Sequence, residues 1–167
     1  IESEARLLAD AERVWAWVAD RYAPDRVSLV GYSLGAALAA HVACVAADRP
    51  PARLVLLAPF YSVRDLARRL VPFVPIGLLR YPLRTDRALA ECRHGLPVTI
   101  FHGTEDGTVP PSQGRRLAAL ASEGPLGDGV RFVALPGTGH QDVAEDPVFR
   151  REMRALLTGA EARGDDR

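Results

Sequence analysis

An α/β fold, with a mostly parallel sheet covered by helices on both faces, is predicted by two features of this sequence. The first is a set of short apolar runs, "VSLVG" (27–31), "ARLVLLAP" (52–59), "LPVTIFHG" (96–103) and "GVRFVALPG" (129–137). They are continuously apolar rather than alternating, which is the pattern of strands buried on both faces. The second is that helical segments separate them, which is the order of a parallel sheet wound with crossover helices. With 167 residues, 48% of them hydrophobic, the chain can bury one core and forms a single domain over 1–167.

Each element has a local reason. Residues 3–21 read as an amphipathic helix capped by Ser3, with Leu7, Leu8, Ala11, Val14, Trp15 and Val18 on one face. "APDR" breaks it before the first strand. Residues 33–48 are alanine-rich and helical until "RPP" stops them. Residues 112–123 form a helix with Ser112 as its expected cap. Residues 146–159 form the last, with Asp146 as cap and Pro147 at the first helical position. The stretch 60–95 is less regular and reads as a cap-like insertion.

Composition excludes several function classes. The net charge is zero, with 21 basic and 21 acidic residues, so no global field gathers nucleic acid. Every basic residue is an arginine, which fits a coding bias better than a function. Cys44 and Cys92 form no CxxC pair, so metal and disulfide frameworks are not expected, and reduced thiols suit a cytoplasmic location. Four histidines show no metal-binding spacing. No metal and no organic cofactor is expected. No apolar run is long enough to span a membrane.

The chemistry begins at "LVGYSLGAAL" (29–38). Gly31-Tyr32-Ser33-Leu34-Gly35 sits at the joint between a strand and a helix. In such a turn the serine is held in a strained conformation with its hydroxyl exposed, and the glycines let helix and strand approach. Ser33 is the candidate nucleophile; the plainer reading is an ordinary cap. The Leu34 N–H, free at the helix start, is the expected oxyanion donor. A serine needs a base. "FHGTEDGTVP" (101–110) offers Glu105 and Asp106 after the third strand, and "LPGTGHQD" (135–142) offers His140 after the fourth. In a parallel sheet these lie at one edge. His41 is expected to pack on the sheet, His102 to shape its loop, and His94 to be exposed.

On "GYSLGAALA", "PVTIFHGTEDGTVP" and "LPGTGH", the chain resembles the α/β-hydrolase superfamily, over roughly residues 3–157. "LVLLAPFYSVRDLARR" resembles the branch of serine-aminopeptidase-like hydrolases and acyl-protein thioesterases. The resemblance implies a triad of Ser33, His140 and Asp106, the HGxxDxxVP pattern choosing Asp106 over Glu105. It implies hydrolysis of a carboxylic ester or thioester through an acyl-enzyme. The alternatives are a serine peptidase and a catalytically inactive fragment. It also implies a second oxyanion donor upstream of Ile1. The expectation is therefore a hydrolase core lacking its N-terminal strands, with a minimal four-stranded hydrolase as the alternative.

Residues 60–95 lie where lid elements enter that fold. "LVPFVPIGLLRYPL" (70–83) is apolar, and six arginines (Arg64, Arg68, Arg69, Arg80, Arg84 and Arg87) lie in and around it against Asp65 and Asp86. An acyl-binding cap making weak membrane-surface contact through 64–87 and a packed helix pair with solvated arginines are both open readings. The substrate is expected to be a small molecule or an acylated partner. Tyr32, Phe60, Phe73, Leu78 and Tyr81 are the candidate substrate-contacting residues.

Overall fold

The computed structural model describes residues 3–45, 49–70, 81–92 and 95–158. Among the described residues, six α-helices and four strands follow in the order α1 (Glu4–Ala19), β1 (Ser28–Tyr32), α2 (Leu34–Val45), β2 (Arg53–Leu57), α3 (Val63–Leu70), α4 (Thr85–Ala90), β3 (Val98–Gly103), α5 (Pro111–Glu123), β4 (Val130–Leu135) and α6 (Pro147–Thr158). The strands form one parallel sheet in the order β1-β2-β3-β4. In that order every strand's C-terminal end lies at the same edge of the sheet, so the loops that follow β1, β3 and β4 can meet.

The central strands β2 and β3 are buried on both faces, as their apolar runs predict, whereas β1 and β4 are only partly buried. Leu54, Leu56, Val98 and Ile100 point to one side, against the alanines of α2 and against Leu89, Leu117 and Ala121 of α4 and α5. Val55, Leu57 and Phe101 point to the other, against Val143 and Phe149. α6 covers that face with Phe149 edge-on to Phe101, ring centroids 5.1 Å apart. α1 lies beside α2, with Trp15 and Ala19 buried against Val42. Ser3 caps α1 by accepting the Arg6 N–H. Val14, expected on the buried face, is 65% exposed. It stands at the rim of an apolar groove of about 440 Å3 between α1, β1 and α2. The outer edge of β1 has no strand partner among the described residues.

Three local expectations change. Ser112 does not cap α5; it lies in the first turn, accepts an Arg69 N–H, and the cap position is Pro110. His41 does not pack on the sheet; its Nε2 is 2.6 Å from Glu12 Oε1 and ties α2 to α1. His94 lies outside the described residues. Cys44 and Cys92 are not free thiols: they form a disulfide with their Cα atoms 4.5 Å apart. No CxxC spacing announces this pair. It is made by folding, because α4 packs across α2 and brings residue 92 beside the buried face of that helix. The disulfide removes the thiol argument for a cytoplasmic location. Among the described residues no helix is long and apolar enough to cross a membrane.

The disulfide closes a loop of sequence separation 48, which corresponds to about 4 kcal/mol of unfolded-chain entropy and roughly 10 °C in Tm. Thiol titration of protein kept from reductant is expected to find neither cysteine free, and reduction to lower Tm by that order. Two titratable thiols in the native protein would contradict the pairing.

Candidate active site

The turn between β1 and α2 is as tight as the glycines suggest. A Cβ on Gly31 would lie 2.7 Å from the Cα of Ala36 and 2.7 Å from the Cβ of Ala39. Only glycine lets α2 pack this closely. Ser33, between strand and helix, has φ of +51°, in the left-handed region that side chains other than glycine's rarely adopt. Its N–H donates to Leu57 O at 2.9 Å. The strained residue is thus held by the neighbouring strand. Leu34, the first residue of α2, presents an N–H that has no intrahelical acceptor.

Two other loops bring their side chains to the serine. His140 Nε2 lies 3.1 Å from Ser33 Oγ. His140 Nδ1 lies 2.6 Å from Asp106 Oδ2. Asp106 is 4% exposed. Its other oxygen, Oδ1, accepts the N–H groups of Thr108 at 2.9 Å and Val109 at 2.7 Å. The carboxylate is therefore fixed by its own loop and offers one oxygen to the imidazole. That contact assigns Nδ1 as the protonated nitrogen, which leaves Nε2 to accept from Ser33. Glu105, the competing acid, is exposed, and its backbone N–H donates to Thr138 O at 3.1 Å.

The loops carrying Asp106 and His140 are interlocked. Gly137 N–H donates to Thr104 Oγ1 at 2.9 Å. Thr104 N–H donates to Leu135 O at 2.9 Å. A Cβ on Gly103 would strike the backbone of Thr138. Thr138 Oγ1 donates to Asp146 Oδ2 at 2.6 Å, while Asp146 Oδ1 accepts from Val148 and Phe149 and caps α6. Tyr32 closes the arrangement from the elbow. Its hydroxyl donates to the carbonyl oxygen of His140 at 2.9 Å, and its ring lies 5.2 Å from the imidazole. Burial, then the charges of Asp106 and Asp142, raise the Tyr32 pKa, so the phenol stays a donor.

A family profile described as the alpha/beta hydrolase fold matches residues 6–73. Solved structures extend the likeness beyond that segment. The esterase Est2 of Thermogutta terrifontis superimposes over 98% of this chain and 68% of its own, with a TM-score of 0.64 and 19% identity. The non-heme bromoperoxidase BpoC of Mycobacterium tuberculosis covers 95% of this chain and 74% of its own, with a TM-score of 0.65 and 17% identity. The chain has the α/β-hydrolase fold. Among sequence relatives, an uncharacterised protein of Mycobacterium tuberculosis is 35% identical over 93% of this chain and 54% of its own length. Lysophosphatidylserine lipase ABHD12 of Danio rerio is 26% identical over 97% of this chain and 47% of its own. The chain thus spans about half the length of these curated relatives.

The candidate residues of this α/β-hydrolase fold are distributed unevenly. Ser33, Asp106 and His140 are brought together, with the Leu34 N–H at the same helix start. Tyr32 stands beside them, gripping the His140 loop. Phe60 is 4% exposed and packs with Ala37, Leu83 and Val109, with Tyr81 against that cluster. Phe73 and Leu78 lie outside the described residues. In the insertion, Arg84 forks onto Asp86 and Arg87 pairs with Glu91. These pairs reduce the positive excess that 64–87 presents to a surface. Asp65 is a tie point: it accepts from Gln113 at 2.7 Å and Arg116 at 2.8 Å, and so fastens α3 to α5.

Sequence reasoning did not find the Tyr32–His140 tie or the Thr138–Asp146 tie. The first has no local signal. The second was half visible, because Asp146-Pro147 reads as a helix cap but does not disclose its second partner.

Burial alone would raise the Asp146 pKa, but the hydrogen bonds from Thr138, Phe149 and Val148 outweigh it and hold the carboxyl below its usual range. A depressed carboxylate pKa gives stability that is present above the unfolded value and lost as pH falls through the folded one. Asp146→Asn keeps a cap acceptor and loses the charge. Its Tm deficit against the parent chain is expected to be full at neutral pH and to close below about pH 4. A deficit unchanged down to pH 3 would assign the effect to shape instead of charge.

Proposed function

We propose that this chain carries the catalytic centre of a serine hydrolase that cleaves carboxylic esters with an apolar acyl group. The observation that carries the reading is the unbroken chain from Ser33 Oγ through the His140 imidazole to the buried Asp106 carboxylate. His140 Nε2 takes the Ser33 proton as Oγ attacks the acyl carbon. Asp106 holds the imidazole tautomer and stabilises the imidazolium. The Leu34 N–H and the N-terminal dipole of α2 stabilise the developing oxyanion. His140 then returns the proton to the leaving group, and water repeats the sequence on the acyl-enzyme. No step calls for a metal or an organic cofactor.

The ester reading is preferred to the thioester and peptide readings because the relatives point that way. ABHD12 is by its name a lysophosphatidylserine lipase, which acts on a lipid ester. The chain spans about half of such relatives, so the substrate and the activity of the whole protein belong to this proposal. So does a second oxyanion donor supplied from outside the residues described.

The test is covalent and kinetic. A fluorophosphonate probe is expected to label the protein at Ser33 and not to label Ser33→Ala. Hydrolysis of p-nitrophenyl esters is expected to fall by at least about 10³-fold in Ser33→Ala and by about 10⁴-fold in Asp106→Asn, with little change in Glu105→Gln. Medium-chain esters should be preferred, since each methylene entering an apolar pocket is worth about 0.8 kcal/mol. Faster turnover of aminoacyl p-nitroanilides, lost on N-acetylation, would favour the peptidase reading.

A further inference from the structure

One buried titratable group is not used in this mechanism. His102, the penultimate residue of β3, is 0% exposed. Its Nε2 lies 2.8 Å from Val109 O. A carbonyl can only accept, so Nε2 carries the proton. The same nitrogen lies 3.4 Å from Asp106 Oδ2, the oxygen that meets His140. Among the described residues Nδ1 has no hydrogen-bond partner. It rests against Gly114 of α5, where a Cβ would overlap it and would lie 3.2 Å from the Phe132 ring. Glycine in a helix interior costs about 1 kcal/mol relative to alanine; here it makes room for the imidazole.

Resting on the triad reading above, we propose that His102 is a positioning residue that acts through Asp106. It holds the Val109 end of the loop that carries Asp106, and so keeps Oδ2 toward His140. Val109 is held at both ends: its N–H donates to Asp106 Oδ1 and its carbonyl accepts from His102. Losing the imidazole N–H frees that carbonyl, and with it the turn that orients the carboxylate. The Nε2–H dipole also presents its positive end to Oδ2, at a distance too long for a full hydrogen bond.

Two imidazoles therefore flank one carboxylate, and their surroundings decide which can carry a charge. Burial pushes the His102 pKa down, against the pull of Val109 O and Asp106, and the His140 ring lowers it further. A proton on Nδ1 would have nothing to bind. His102 stays the neutral Nε2–H tautomer, and His140 alone takes the proton from Ser33. The titratable groups acting on His102 are Asp106 on its own loop and His140 across from it; the α5 residue against it, Gly114, carries no charge.

The test compares variants that keep or remove a donor at the Nε2 position. His102→Gln places an amide N–H there; His102→Leu places none. Two readouts are followed: the low-field proton resonance of His140 Nδ1–H, and the rate of fluorophosphonate labelling at Ser33. The parent and His102→Gln are expected to keep the resonance and to label within about threefold of each other, whereas His102→Leu loses the resonance and labels roughly 10–100-fold more slowly. A merely structural role would lower Tm in both variants without separating them. Where His102→Leu fails to fold, His102→Asn, whose amide reaches only the Nδ1 position, takes its place and is expected to behave as donorless. A donorless variant with the parent's resonance and rate, or a Gln variant no better than the donorless one, overturns the proposal. Failure of the triad reading looks different: the parent protein does not label at Ser33, and the resonance still responds to residue 102.

Discussion

The distance between α2 and β1 is the constraint on which the site depends. A parallel sheet sets the spacing of its strands but not how closely a helix may return over them. Gly31 sets that here, because any side chain would strike Ala36 and Ala39. The alanines of α2 do the rest, since Ala36, Ala39, Ala40 and Ala43 are all buried against the sheet. With the helix this near, the connecting residue cannot keep ordinary backbone angles, and Ser33 takes φ of +51°. The strain costs of order 1–3 kcal/mol. It is offset by the burial of α2, and it points a hydroxyl and a free helix N–H into the same space.

A hydroxyl at the right place is inert without a base at hydrogen-bond distance, and loops do not hold such distances unaided. The loops after β3 and β4 restrain each other. Thr104, Gly137, Thr138 and Glu105 exchange backbone and side-chain hydrogen bonds between them. Asp146 and Tyr32 then tie the His140 loop to α6 and to the elbow. Each tie is a modest interaction of about 1 kcal/mol. Together they leave the imidazole one orientation, in which its two nitrogens face Ser33 and Asp106.

How much of this the sequence discloses depends on whether the determinant is local. The four strands, α1, α2, α5 and α6, the Ser3 and Asp146 caps and the elbow were legible, because each follows from periodicity, capping chemistry or a glycine spacing within a few residues; α3 and α4, in the irregular stretch 60–95, were not assigned. The choice of Asp106 over Glu105 came from a resemblance; the structure adds the reason, since Asp106 is turned inward by the N–H groups of Thr108 and Val109 while Glu105 faces solvent. What was not legible is tertiary. The Cys44–Cys92 pair, the His41–Glu12 contact and the hydroxyl of Tyr32 on the His140 carbonyl all join residues far apart in sequence. Val14 satisfies the amphipathic pattern and is nonetheless exposed, because periodicity says which face is apolar and not whether something covers it.

That uncovered face bears on the site in one direction only. Val30, Tyr32 and Leu34 are all more than 40% exposed along β1 and the start of α2. Tyr32 apart, the groups that position Asp106 and His140 come from the opposite side of Ser33, from β2, β3, β4 and the loops that follow them. Leu57 O holds the Ser33 N–H, and the two interlocked loops hold Asp106 and His140. Covering the β1 edge would therefore change the stability of the sheet and the water content around the Ser33 hydroxyl. It would leave the hydrogen-bond sequence from serine to carboxylate as it is. Oxyanion stabilisation is different in kind. A second donor must approach the acyl oxygen on the side of Ser33 away from His140 if it is not to displace the base, and that is the side where β1 stands open. In the proposed reaction, proton transfer would use contacts already made, and charge stabilisation would be the part sensitive to what lies beside β1.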